Sequence, residues 1–93
     1  MNSTMEKAYM IYIYGQVQGV GFRYSALKKA NELSIKGFVH NKPNGSVYIE
    51  AEGKPEALEE FLVWCQQGPT RARVDDVKHE EIPLSNYKKF IIR

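Results

Sequence analysis

Between a stretch patterned as a strand and one patterned as a helix, the chain places three glycines in seven residues: Gly15, Gly19 and Gly21. Residues 7–14 are β-branched and aromatic over the length of one strand, and Gly15 closes them. Phe22, Ala26, Ala30 and Leu33 then recur at helical spacing, which predicts a helix over 22–33. The glycine-rich passage is therefore a strand-to-helix junction. Glycine there permits backbone angles that other residues avoid and lets a ligand approach the main chain. Several N–H groups converge on one point just ahead of the positive end of a helix dipole, which makes an anion cradle. Arg23, in the first helical turn, adds a planar fork of donors suited to phosphate. Glycine content alone fits a plain structural turn as well as it fits such a cradle.

The rest of the chain continues the pattern. Residues 37–41 read as a second strand, and Lys42-Pro43-Asn44-Gly45 carries a strong hairpin signal. Over 46–52, Val47, Ile49 and Ala51 alternate onto one face, as in a half-buried strand. Residues 55–67 place Leu58, Phe61, Leu62 and Cys65 on one helical face, with Pro55 at the start and Gly68-Pro69 as the stop. Further strand material lies at 74–82 and 87–92, interrupted by Pro83. The order β-α-β-β-α-β, with an extra piece at the end, predicts an α+β fold of the ferredoxin-like, split β-α-β kind. Its sheet is expected to be antiparallel, with two helices on one face. In the β-α-β unit both strands point the same way, so the loop after Tyr14 and the hairpin after Asn41 are expected to meet at one edge.

Composition narrows the partners. Ninety-three residues make one domain, 1–93. Thirteen basic residues against eleven acidic give a net charge of +2, too mild to argue for nucleic acid or an anionic membrane. One cysteine, Cys65, excludes an internal disulfide and a multi-thiolate zinc site, and its place on the apolar stripe predicts a buried, inert thiol. Residues 1–7 are polar, and no apolar stretch is long enough for a signal peptide or a membrane span. A monomer in the cytoplasm is expected. No metal is expected either: strand parity divides Asp75, Asp76 and His79 between faces.

Two named phosphate motifs are absent, namely the nucleotide P-loop and the dinucleotide fingerprint. The run Gly15-Gln16-Val17-Gln18-Gly19-Val20-Gly21-Phe22-Arg23 instead resembles the signature of the acylphosphatase family. A second block, Gly37-Phe38-Val39-His40-Asn41 followed by Asn44-Gly45-Ser46-Val47, is similar to that family's G-W-V-R-N and D-G-S-V. Phe61, Trp64, Gly68-Pro69, Ala72, Val74 and the ending from Phe90 to Arg93 also fall in its pattern. Phe38, His40 and Asn44 depart from the usual tryptophan, arginine and aspartate.

The resemblance implies a hydrolase of acyl phosphates that uses no cofactor and no metal and releases a carboxylate and inorganic phosphate. It gives Arg23 the task of binding the phosphoryl group and Asn41 that of positioning the attacking water. The main-chain N–H groups of Gln16, Val17, Gln18, Gly19, Val20, Gly21 and Phe22 complete the cradle. Other readings fare worse. His40 is expected on the face opposite Asn41. Ser25 lacks the context of a serine nucleophile. Tyr12, Tyr14, Tyr24 and Tyr48 read as sheet and rim packing, although some border the substrate in one reading. An RNA-recognition domain shares the element order, but its aromatic motif belongs on the third strand, which here reads Ser46-Val47-Tyr48-Ile49-Glu50. A domain of a larger carbamoyl-transfer assembly, as in hydrogenase maturation factors, is the nearer rival.

Overall fold

The structure, a computed structural model, describes residues 5–93. Residues 1–4, where the polar N-terminal segment begins, lie outside the described residues. Seven elements follow the expected order: β1 (Lys7–Gln16), α1 (Phe22–Glu32), β2 (Lys36–Asn41), β3 (Val47–Gly53), α2 (Pro55–Gln67), β4 (Arg73–Ile82) and β5 (Phe90–Ile92). The sheet runs β4-β1-β3-β2-β5.

Strand alternation sorts the sheet into two faces. Ile11 and Ile13 of β1, Val39 of β2, and Val47, Ile49 and Ala51 of β3 point to one side and are all but fully buried. Both helices cover that side. Phe22, Ala26 and Ala30 of α1 join Leu58, Phe61, Leu62 and Cys65 of α2 in the same core. Trp64 bridges the helices, its ring 5.3 Å from that of Phe22 and 5.9 Å from that of Phe61. The 3.6-residue period of the two helices and the two-residue period of the strands thus meet in one apolar layer. Burial also pushes the Cys65 thiol well above its ordinary pKa, so it stays protonated and unreactive at neutral pH.

The sheet is mixed rather than antiparallel. β2 and β5 pair in parallel, from Gly37 opposite Phe90 to Val39 opposite Ile92. The reason lies in the route of the chain between β4 and β5, which occupy opposite edges of the sheet. β4 ends at Ile82, beside Ala8 at the start of β1, so the connection crosses the helix-free face at that end. β5 must then run back in the direction of β1 and β2. Two glutamates of β3 hold the crossing segment in place. Glu52, only 3% exposed, accepts the backbone N–H groups of Ser85 and Tyr87. Glu50 accepts the hydroxyls of Tyr87 (2.8 Å) and Tyr48 (2.6 Å). Burial, then the bond to Glu50, raises the Tyr48 hydroxyl's pKa and keeps it a donor.

A buried carboxylate serving two N–H groups has a measurable consequence. Glu52→Gln turns one acceptor oxygen into a donor that faces another donor. We expect the variant to lose about 2 kcal/mol of unfolding free energy in a urea titration, as for other hydrogen bonds to a charged group. A loss below about 0.5 kcal/mol would mean that the crossing segment is held by other contacts.

Candidate active site

The β-α-β start fixes the edge at which the glycine loop and the hairpin sit. Ile13 of β1 and Asn41 of β2 flank the same β3 residue, Val47, from either side. The loop leaves β1 just beyond this level. β1 itself runs one residue past Gly15, because β4 keeps pairing with it through a register shift at Tyr14/Gly15, and Gln16 lies opposite Arg73. The passage between strand and helix is therefore residues 17–21.

The loop is pinned at both ends and tied in the middle. Val17 and Phe22 are buried to 1% and 2% exposure and fix its ends in the core. Between them, the Gln18 side-chain amide donates to Lys42 O (2.8 Å) and Ser46 O (2.9 Å), both in the β2–β3 hairpin. The hairpin is itself closed by Lys42 N–H to Ser46 O and Gly45 N–H to Lys42 O. Asn44, where the family pattern has aspartate, accepts from Ser46 N–H (3.0 Å) and Ser46 Oγ (2.6 Å). An acceptor oxygen suffices there, and the amide supplies it. Gln18 thus couples the glycine loop to the strand end that carries Asn41, a side-chain task that its place in a main-chain cradle did not reveal. We expect Gln18→Ala to cost about 1 kcal/mol of stability, since both carbonyls keep a second donor. We expect turnover to fall about tenfold as the loop loses its register against the hairpin. Thermal denaturation and steady-state kinetics on the same preparation check both.

Gly19 and Gly21 lie in the left-handed region, with φ of 73° and 80°. A Cβ at either position meets nothing within 4 Å, so the backbone angle, not space, requires glycine. Gly21 is the N-cap of α1, and a glycine has no side chain with which to cap. Nor is there an acidic residue in the first turn. The first N–H groups of α1 therefore have no acceptor among the described residues, and the positive end of the helix faces an open space. That space is a cleft of about 230 Å³ lined by Val17, Gly19, Gly21, Phe22, Arg23, Tyr24 and Ile92. Arg23 is exposed at its wall and, among the described residues, has no carboxylate partner.

Asn41 is half-buried at the end of β2, and its Oδ1 is a buried acceptor with no hydrogen-bond partner among the described residues. His40 lies on the other face, between the rings of Phe38 (5.7 Å) and Tyr48 (5.5 Å), as strand parity predicts. Asp75 is engaged by Arg73 at 3.1 Å, and that hydrogen bond lowers its pKa. His79 packs edge-on against Tyr9 at 5.3 Å. Among the described residues no three His, Cys, Asp or Glu side chains are grouped to hold a metal ion. No helix among them is long and apolar enough to cross a membrane.

The chain is similar to known proteins over nearly all of its length. The family model for acylphosphatase matches residues 9–92. An acylphosphatase of Yersinia pseudotuberculosis is 44% identical over 91 residues, covering 96% of this chain and 99% of the relative. The structure of an acylphosphatase from Coxiella burnetii superposes with a TM-score of 0.94 at 36% identity, covering both chains completely. Full-length HypF, solved in a phosphate- and nucleotide-bound form, matches 97% of this chain with 12% of its own length, at 31% identity and a TM-score of 0.87. With a signature at the strand-to-helix junction, a family match over nearly all its length and the same fold, the chain belongs to the acylphosphatase family.

Proposed function

We propose that the chain hydrolyses the carboxyl–phosphate anhydride bond of acyl phosphates, without a metal, to a carboxylate and inorganic phosphate. The observation that carries this reading is the uncapped start of α1, preceded by two left-handed glycines and opening onto the same cleft as Arg23. It is a place for a compact dianion. Main-chain N–H groups of residues 16–22 and the Arg23 guanidinium hold the phosphoryl oxygens and stabilise the charge that grows on them. The Gln18 tie and the buried Val17 and Phe22 keep those donors set in advance, so little reorganisation is needed as the reaction proceeds.

The Asn41 carboxamide holds water in line with the breaking bond; its buried, unpartnered Oδ1 is an acceptor for one of that water's protons. Water oxygen bonds to phosphorus, and the bond from phosphorus to the bridging oxygen breaks. The carboxylate departs with the electron pair, and the water's proton passes to a phosphoryl oxygen. A carboxylate leaves unprotonated at neutral pH, so no strong general acid is required. Phosphoryl transfer of this kind asks mainly for positioning and charge stabilisation.

The single thiol, buried and unpaired, is in keeping with a reducing compartment, and we place the protein in the cytoplasm. Away from the cleft, the exposed apolar residues Met5, Val63, Leu84 and Ile91 lie on separate segments, in keeping with a monomer. The reading is tested by following benzoyl phosphate hydrolysis in the presence and absence of a chelator. We expect turnover in both, equal to within about twofold. A loss of activity restored by a divalent cation would contradict the metal-free mechanism, and RNA binding without turnover would contradict the assignment as a hydrolase.

A further inference from the structure

The cleft at the start of α1 is larger than the dianion it is read to hold. Its roughly 230 Å³ compares with about 30 Å³ for a water molecule in the liquid, and a phosphate has five heavy atoms. Beyond Gly19, Gly21 and Arg23, its wall includes Tyr24 and Ile92, two large apolar side chains that are 63% and 41% exposed. Scattered exposed apolar residues are ordinary. Two of them on the wall of one cleft, brought together from α1 and from the last strand, form a surface that a ligand can cover.

We propose that Tyr24 and Ile92 form a shelf for the acyl group of the substrate, and that the chain favours acyl phosphates whose acyl group is uncharged and apolar. This deepens the acylphosphatase reading and rests on it. Tyr24 follows Arg23 in the first turn of α1, and both line the same cleft. Ile92 arrives because β5 is parallel to β2 and therefore ends at the edge where Asn41 lies. Arg93, next along, is turned away: its guanidinium sits 3.8 Å from the centre of the Phe38 ring. Among the described residues Arg23 is then the sole cation on the cleft wall, and no carboxylate of theirs lines it. An anionic acyl group finds no second cation there, whereas an aromatic or branched one covers the Tyr24 ring and the Ile92 side chain.

The test compares two substrates and two inert analogues in the wild type and in Tyr24→Phe, Tyr24→Ser and Ile92→Ser. We expect kcat/KM for benzoyl phosphate over acetyl phosphate to drop about five- to tenfold in each serine variant and to be kept by Tyr24→Phe, as for loss of one apolar contact in an open site. Calorimetry should show phenylphosphonate binding more tightly than methylphosphonate in the wild type, with that preference shrinking in the serine variants. Hydrolysis of both substrates with a selectivity that the serine variants leave unmoved would overturn the shelf alone. Failure of the wild type to hydrolyse either would overturn the acylphosphatase reading on which the shelf rests. Equal binding of the two phosphonates would count against the shelf whatever the kinetics show.

Discussion

Arg23→Ala lowers turnover of an acyl phosphate by about 10²–10³-fold and weakens binding of inorganic phosphate by about tenfold or more. The expectation follows from where the residue stands. Arg23 shares its cleft with the glycine loop, has no carboxylate partner among the described residues, and lies at the positive end of a helix whose cap offers no side chain. Its two parallel N–H donors match two phosphoryl oxygens, which a lysine ammonium cannot do. Arg23→Lys should therefore recover part of the phosphate affinity but little of the turnover. Both variants should fold normally, because the side chain is exposed and carries no core contact. Phosphate affinity is read as competitive inhibition, and stability by thermal denaturation.

Asn41→Ala is expected to separate the two tasks. The amide sits at the end of β2, with one buried acceptor left free. Removing it takes away the group that holds water but leaves the loop donors and Arg23 intact. Turnover should fall about 10²-fold or more, while inhibition by inorganic phosphate stays within about twofold of wild type. An equal loss of phosphate affinity in Arg23→Ala and Asn41→Ala would contradict that division. Because Asn41 is half-buried, Asn41→Asp serves as a near-isosteric second variant. Its carboxylate would repel the dianion, so phosphate inhibition should weaken in this variant and not in the alanine one.

Much of the fold is legible from local signals, and the exceptions share one cause. α2 (Pro55–Gln67) begins and ends where proline and glycine punctuate an apolar stripe, and both signals are local. The same holds for the turn at Asn44-Gly45 and for the inward alternation of Val47, Ile49 and Ala51. The parallel pairing of β5 is different. It depends on Glu52 and Glu50 gripping Ser85 and Tyr87, more than thirty residues away, and no period or turn signal encodes that. The same crossing occupies residues that alternation alone assigns to the last strand, so β5 starts at Phe90 rather than at 87. β1 runs past Gly15 for a similar reason, since its partner β4 continues and a bulge absorbs the mismatch.

At the site, the glycine junction, Arg23 and the shared edge with Asn41 follow from topology. Two features do not. The Gln18 side chain reaches Lys42 and Ser46 across 24 and 28 residues, and nothing in its immediate neighbourhood distinguishes it from Gln16. Ile92 reaches the cleft only because the last strand is parallel. Both are consequences of tertiary placement.

The most direct test is a titration of the isotope-labelled protein with inorganic phosphate, followed amide by amide by nuclear magnetic resonance. The backbone N–H groups of residues 17–23 should shift together and saturate with one affinity, and Arg23→Ala should weaken that affinity. Saturable shifts centred elsewhere, for example on the first turn of α2, with residues 17–23 unmoved, would contradict the account.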